Sequence, residues 1–232
     1  MTTRNNMRIQ TFFSGMMVLL LPALTYAGGV ALSTTRVIYP AEKKEASLTV
    51  SNNDKKEDFL IQSWVEDASG NKKTPFIVTP PLFQLDHGKD NVLRIVNVGA
   101  GLPQDRESVY WLNVKSIPPR SENVNVLQIA VRTRLKLFYR PAGLTGKPLD
   151  AEGLLQFRQQ GQQLMVTNPS GYNLTLGRVT VNQKELKTLG MVPAKGQLAL
   201  TLPAASSHAG QVEYTVINDF GAASKPYIHK IQ

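Results

Sequence analysis

Short alternating or apolar runs, each followed by turn-forming residues, recur along almost the whole chain. Seven occur before residue 140, at 30–39, 45–52, 59–66, 76–78, 91–97, 108–117 and 124–139. Alternation with a period of two is typical of β-strands that bury one face, and no helical period of useful length appears after residue 27. Strands at this spacing predict an immunoglobulin-like β-sandwich, without the Cys…Trp…Cys framework of antibody domains.

The character of the sequence changes after residue 139. Residues 140–148 (RPAGLTGKP) are rich in proline and glycine, as a domain linker is. Strand-like runs then resume at 154–158, 163–168, 174–182, 184–189, 197–202, 211–218 and 225–231. A length of 232 residues suits two domains of ordinary size. We therefore predict two all-β domains, at 28–147 and 148–232.

The first 27 residues have the composition of a secretory signal peptide. Arg4 and Arg8 precede an apolar stretch at 9–24, and the small residues of 25–27 (TYA) suit signal peptidase. A membrane anchor is the alternative, but the stretch is shorter than the ~20 residues that a span needs and contains polar residues. We predict cleavage before Gly28 and export to a bacterial periplasm.

Composition narrows the class of function. The net charge of +9, or +7 after cleavage, raises nucleic acid, anionic lipid or an acidic partner as candidates. The basic residues are scattered and aromatic residues are few, which argues against nucleic acid. The chain has no cysteine, so disulfides, cysteine nucleophiles and thiolate metal sites are excluded.

The sequence shows no constellation of catalytic residues. Residues 143–148 (GLTGKP) lack the spacing and the final Ser or Thr of a phosphate-binding loop. Asp86 and Asp90 are better explained as residues of a solvated turn. Three histidines are present, and none has a partner at metal-ligand spacing: His87, His208 and His229. We therefore predict a binding protein, with no enzymatic activity, metal or other cofactor.

Residues 125–141 (NVLQIAVRTRLKLFYRP) combine an apolar row with a basic row. The apolar positions are Leu127, Ile129 and Val131, and the basic positions on the alternate face are Arg132, Arg134 and Lys136. Taken alone, the first row would belong to the core of the N-terminal domain and the second to a solvated strand end.

Seven segments together resemble the PapD-like family of periplasmic pilus chaperones of the chaperone–usher pathway, most closely its type 1 fimbrial branch. They are ALSTTRVIYP (31–40), TPPLFQL (79–85), NVLRIV (91–96), LPQDRESVYWLNVKSIPP (102–119), LQIAVRTRLKLFYRP (127–141), NPSGYNLTL (168–176) and INDFGA (217–222). The resemblance implies two immunoglobulin-like domains arranged as a boomerang around a cleft. It also implies that the protein caps pilin subunits by donor-strand complementation, a form of β-strand addition, and delivers them to the outer-membrane usher without ATP.

The resemblance also implies roles for particular residues. The donor strand that fills the apolar groove of a pilin would present Leu127, Ile129 and Val131. The pilin's C-terminal carboxylate would be bound by Arg36 and Lys136. An ion-pair network between the domains would consist of Glu107, Arg140 and Asp219. The resemblance assigns no role to Arg132 and Arg134.

Three points stay open at this stage. In an ideal strand Lys136 lies on the face opposite Ile129 and Val131, so either a bulge or twist intervenes or the two tasks use different faces. Pro80 matches a position where the family often has a cis bond, and a trans bond is the alternative. The short link at 118–123 would by resemblance place the chain among chaperones of rigid, multi-subunit rod pili.

A two-domain periplasmic carbohydrate-binding or adhesin module is the competing interpretation. It would require exposed aromatic side chains on a strand face or a loop. The two tryptophans, Trp64 and Trp111, lie within alternating runs and are predicted to be core residues.

We expect the exported protein to begin at Gly28, because signal peptidase cuts after small residues that follow an apolar stretch. Intact mass of the protein in the periplasmic fraction measures this directly. Recovery of residues 1–27 on the protein in a membrane fraction would contradict the prediction.

Overall fold

The computed structural model describes residues 29–120, 127–203 and 210–232. The predicted signal peptide, His208 and part of the link at 118–123 lie outside these residues. The described chain forms two all-β domains, which confirms the predicted fold class.

The first domain is a sandwich of two sheets. Its strands are β1 (Val30–Leu32), β2 (Arg36–Pro40), β3 (Ala46–Asn52), β4 (Phe59–Glu66), β5 (Phe76–Thr79), β6 (Leu82–Leu85), β7 (Asp90–Asn97), β8 (Ser108–Ile117) and β9 (Val131–Arg140). One sheet has the order β1-β3-β7-β5, and the other has the order β2-β9-β8-β4-β6. Most pairs are antiparallel, whereas β2 and β9 run parallel.

The core of this domain is formed by alternate residues of the facing sheets. Leu48 and Leu93 from one sheet and Ile61, Leu112 and Leu137 from the other are almost fully buried. Burial of a large aliphatic side chain contributes about 1.5–3 kcal/mol, so the apolar alternation of the sequence accounts for the sandwich without any disulfide.

Three larger differences from the sequence prediction occur in the first domain. The run at 30–39 forms two strands in different sheets, because the Thr34 hydroxyl bonds the backbone of Arg36 and so competes with the ladder. The chain crosses between sheets again at Pro80 and Pro81, where the Thr79–Pro80 bond is cis, and β6 follows as a strand that the sequence did not reveal. Finally, β9 begins at Val131 instead of residue 124.

The second domain is also a sandwich, built after a short helical turn. The turn consists of α1 (Pro148–Ala151) and the 3-10 segment Glu152–Leu154. The strands are β10 (Gln156–Gln160), β11 (Gln163–Thr167), β12 (Leu174–Val181), β13 (Lys184–Glu185), β14 (Met191–Val192), β15 (Gln197–Thr201), β16 (Gln211–Ile217) and β17 (Tyr227–Lys230). One sheet has the order β10-β11-β15. The other has the order β13-β12-β16-β17, with β14 also on β12. The loop between β16 and β17 faces the first domain.

Candidate functional site

Strand β9 presents two chemically different faces. Its pairing with β8 runs without a register shift from Val131 opposite Ser116 to Tyr139 opposite Ser108. Leu135 and Leu137 are buried in the core, and Lys136 points to the outer face between them. Val131 and Lys136 therefore lie on opposite faces of β9, with no bulge between them.

The apolar row of this strand continues beyond the domain that it stabilises. Leu127, Ile129 and Val131 are 85%, 67% and 56% exposed, so the alternative that they belong to the core of this domain is wrong. Val131 is the first residue of β9, and 127–130 lie ahead of it without regular secondary structure. These side chains are exposed because Val131 pairs with Ser116, near the end of β8, and residues 127–130 extend beyond this last pair.

The same stretch also has an unpaired backbone edge. Strand β2 lies beside β9 only from Lys136, opposite Arg36, to Arg140, opposite Pro40. Within the described chain no strand occupies that side of β9 before Lys136. An open edge presents N–H and C=O groups that can pair with another chain. The exposed apolar side chains at 127–131 therefore lead into a β9 edge that has no described strand beside it up to Leu135.

Two half-buried cations stand where this free edge ends. Arg36 and Lys136 are directly paired residues of neighbouring parallel strands, so the structure brings the two predicted anchor residues together. Burial lowers the pKa of Lys136, and the nearby charge of Arg36 lowers it further. Burial also lowers the pKa of Arg36, although the charge of Asp219 opposes this shift.

The hydrogen bonds of Arg36 leave part of its guanidinium available. Its Nη1 donates to the backbone oxygen of Ile217 at 2.8 Å. Its Nε is buried and has no hydrogen-bond partner among the described residues. A buried donor without an acceptor is costly, so a ligand that supplies an anionic oxygen would relieve that cost at this place.

The three residues predicted to link the domains are also in contact. Arg140 Nε donates to Glu107 Oε1 at 2.7 Å, while Nη1 and Nη2 donate to the two oxygens of Asp219 at 2.7 and 3.0 Å. The other Glu107 oxygen accepts from the backbone N–H of Asn173 at 2.8 Å. Burial disfavours the charge of Arg140, but its bonds to Asp219 and the charge of Glu107 raise the pKa of Arg140 above its usual value.

The outer face of the first domain contains a cluster of cations and indole rings that the sequence did not predict. The guanidinium carbon of Arg134 lies 4.1 Å from the centre of the Trp111 ring, and that of Arg132 lies 5.1 Å from the centre of the Trp64 ring. Arg132 also forms a 2.7 Å ion pair with Glu66. The prediction that both tryptophans are core residues is wrong. They alternate with buried residues such as Leu112 and so point outward, where cations cover them.

A cavity of about 370 Å³ lies between the domains, next to Arg36. Its lining includes Phe138 and Arg140 from β9, Leu149 from α1, and Phe220 from the loop after β16. In the part of the chain that is described, no cluster of three or more His, Asp or Glu side chains could hold a metal ion. Nor does that part contain a helix that is long and apolar enough to span a membrane.

Comparison with known proteins gives consistent matches over both domains. The family described as pili and flagellar-assembly chaperone, PapD N-terminal domain, matches residues 29–145. The family described as pili assembly chaperone PapD, C-terminal domain, matches residues 150–228. The probable fimbrial chaperone LpfB of Escherichia coli O157:H7 is 61% identical over 202 residues, which cover 86% of this chain and 87% of that protein.

Solved structures agree with these matches. A chain in the complex of the Salmonella enterica SafA pilin with the SafB chaperone aligns with a TM-score of 0.81 and 36% identity, over 89% of this chain and 98% of that chain. The periplasmic chaperone SfaE aligns with a TM-score of 0.76 and 40% identity, over 88% of this chain and 99% of that chain.

Replacing Arg140 with Ala should strongly destabilise the protein, because Glu107 would remain buried without its partner. Breaking a buried pair in this way costs roughly 3–5 kcal/mol. The free energy of unfolding in urea, measured for wild type and variant, tests this prediction.

The matched control is Arg178→Ala, which removes the exposed pair with Glu185. Exposed pairs contribute only about 0–1 kcal/mol. Equal, small losses of stability in the two variants would show that the network between the domains contributes little.

Proposed function

The chain belongs to the family of PapD-like pili-assembly chaperones, and from this premise we propose that it binds fimbrial subunits along the free edge of β9. It is a chaperone of fimbrial assembly, which both domain matches and the named relatives support. One observation carries the finer proposal: the exposed apolar row at 127–131 lies on an unpaired edge that leads directly to Arg36 and Lys136.

The apolar row supplies the donor side chains. Full burial of Leu127, Ile129 and Val131 in a subunit groove would contribute about 1.5–3 kcal/mol for each residue. Backbone hydrogen bonds along the edge contribute only about 0.5–1.5 kcal/mol apiece, net of those lost to water. The side chains therefore provide most of the affinity, whereas the backbone fixes the direction and spacing of the added strand.

The position of β2 sets the direction of that strand. Because β2 starts at Arg36, opposite Lys136, and runs parallel to β9, an added strand must pair with the part of β9 that precedes Lys136. A subunit strand whose C-terminus reaches Arg36 and Lys136 therefore runs parallel to β9. The free edge at 127–135 would be covered by the last strand of the subunit.

The paired cations would bind the C-terminal carboxylate of the subunit. Hydrogen bonds between charged groups are shorter and stronger than neutral ones, and a chain has only one C-terminus. Binding of the carboxylate at Arg36 and Lys136 would therefore set the register of the whole added strand. A register error of one residue would turn the apolar side chains of the subunit to the wrong face.

We also propose that the protein acts in the periplasm and passes the subunit to the outer-membrane usher. Strand addition releases its own free energy, so neither catalysis nor ATP is required. Nucleic acid is not a proposed partner. The competing carbohydrate-binding or adhesin interpretation is not favoured. One aromatic side chain on a loop, Phe220, is exposed, but cations cover Trp64 and Trp111, and the relatives are fimbrial chaperones.

Replacing Lys136 with Ala should abolish capture of subunits while the chaperone stays folded. Loss of one partner of a desolvated charge pair costs about 2–5 kcal/mol, which is a large loss of affinity. The measurement is co-purification of a co-expressed fimbrial subunit, with circular dichroism as the test of folding.

Lys89→Ala, an exposed lysine in the turn before β7, is the matched control and should capture subunits as wild type does. A subunit with an amidated C-terminus should bind wild type poorly and the Lys136 variant no worse than an unmodified subunit does. Capture at wild-type level by Lys136→Ala would disprove the assignment of the anchor.

The free chaperone should self-associate through 127–131, because an exposed apolar strand edge is prone to pair with a second copy. Sedimentation velocity should show dimers that increase with concentration and dissociate when a subunit is added. Ile129→Ser should reduce dimer formation, whereas Val98→Ser, at another exposed apolar position, should not. A wild-type protein that remains monomeric at high concentration would contradict this prediction.

A further inference from the structure

Lys195 occupies a backbone conformation that a lysine rarely adopts. It lies in the loop 193–196 between β14 and β15 and has a φ of +53°. The N–H of Gly196 donates to the oxygen of Pro193 at 3.1 Å, so 193–196 form a tight turn with Lys195 at its third position. A positive φ at this position usually requires glycine or asparagine, because most side chains cost free energy in the left-handed region.

The side chain of this strained residue reaches the other domain. Lys195 Nζ lies 2.8 Å from Asp105 Oδ2, in the segment that connects β7 and β8. The backbone N–H of Lys195 donates to the oxygen of Ser170 at 2.8 Å, in the loop 168–173 between β11 and β12. The backbone of Lys195 is thus held to its own domain while its ammonium group binds the first domain. Strained residues of this kind cluster where a precise geometry serves function.

The Asp105 end of this contact is also fixed in place. Two residues further on, the backbone N–H of Glu107 donates to the oxygen of Gly171 at 2.8 Å. A Cβ at Gly171 would lie 3.2 Å from the backbone oxygen of Asp105, so the two segments are in close contact. The hydrogen bonds from Lys195 and from the neighbouring Arg106 lower the pKa of Asp105 to about 2. The carboxylate is therefore charged at neutral and mildly acidic pH.

The pair lies on the side of the domain contact that is away from the cavity. The three residues of the Arg140 network line the cavity between the domains, whereas Asp105 and Lys195 are not among the described residues that line it. A single contact between two bodies leaves them free to rotate about it, and a second contact at another place restrains that rotation. Small, polar contacts between domains permit relative motion, so a restraint of this kind matters for the cleft.

We propose that Lys195 is a positioning residue, whose ion pair with Asp105 restrains rotation of the two domains about the Arg140 network. The side chains of Lys195 and Asp105 are 42% and 51% exposed, so the pair contributes little to the stability of the fold. Its effect is on geometry, because the oxygen of Ile217, which holds Arg36, belongs to the second domain and moves with it. A glycine at 195 would relieve the turn but could not reach Asp105.

The width of the distribution of distances between the domains tests this role. The chain has no cysteine, so Val92→Cys on β7 and Ile228→Cys on β17, both at exposed positions, place one spin label in each domain. Double electron–electron resonance is measured on the full-length mature protein, diluted with unlabelled protein so that distances between copies do not contribute. No subunit is needed, so the outcome is independent of the proposed function.

Lys195→Met, which keeps the length of the side chain and removes its charge, should widen the distribution at low salt by at least about 1.5-fold, because domains joined by a small contact move. Lys195→Gly should widen it equally, and Lys195→Arg should keep the wild-type width. Salt at about 1 M, where the Debye length is about 3 Å, should widen the wild-type distribution towards that of Lys195→Met. The same salt should leave Lys195→Met nearly unchanged, since the buried pairs of the Arg140 network are screened less.

The matched control is Gln183→Gly. Gln183 also has a positive φ, +66°, in the turn between β12 and β13, at the end of β12 that is far from the first domain. Both glycine variants should keep or raise the midpoint of thermal unfolding, because each relieves a strained residue. Only Lys195→Gly should widen the distribution.

Two results would overturn the role of Lys195. One is a wild-type width in Lys195→Met at low salt, and the other is equal widening in Lys195→Arg, which would show that the charge is irrelevant. A lower unfolding midpoint with a wild-type width in Lys195→Gly would likewise count against the proposal, because the residue would then serve only its own turn.

Discussion

The three-way contact of Arg140 with Glu107 and Asp219 is the interaction on which the rest of the cleft depends. Arg140 is the last residue of β9, Glu107 directly precedes β8, and Asp219 follows β16 in the other domain. By fixing Asp219, the network also fixes the neighbouring Ile217, whose backbone oxygen holds the Arg36 guanidinium. The position of the anchor cation in the first domain thus depends on a loop of the second.

This ion-pair network fixes the geometry of the contact between the domains more than it adds to the stability of the fold. Removing charges from water costs free energy that their mutual attraction repays only when the geometry is good and the remaining bonds are made. Both conditions hold here, because Asp219 is bound through both of its oxygens and the second oxygen of Glu107 accepts from Asn173. An apolar contact of the same area could join the domains equally well, but it would tolerate sliding that moves the backbone oxygen of Ile217 away from the Arg36 guanidinium.

Much of this arrangement could be predicted from the sequence, and the failures have physical causes. Period-two alternation identified most strands, since apolar residues on one face have to be buried together. Alternation does not reveal which of two sheets a segment joins, so the break before Arg36 and the strand after Pro81 were missed. It also does not reveal which face is inner, so the outward-facing Trp64 and Trp111 were assigned to the core.

The residues of the candidate site could likewise be predicted only in part from local sequence patterns. Arg36, Lys136 and the network residues were found only through family resemblance, because the members of each contact are 33, 79 or 100 residues apart and no local pattern joins them. The start of β9 depends on where β8 ends, and this is set by the pairing of the two strands in the folded domain. Phe220 carries no periodic signal, so its exposure could not be predicted from the sequence.

The two faces of β9 explain how a single strand can serve both structure and binding. Its core-facing row packs Leu135 and Leu137 inside the domain and ends at the exposed Val131, and Ile129 and Leu127 lie ahead of the strand, so one stretch of chain serves this domain and, as we propose, a partner. Its outer row presents Lys136 at the point where β2 takes over the edge. These positions lie on one short stretch of chain, so an added strand that pairs along it and ends at Lys136 would span a fixed distance from the proposed anchor to each proposed donor side chain. A subunit strand held at its terminus, as we propose, would therefore be aligned along its entire length without a further device to set the register.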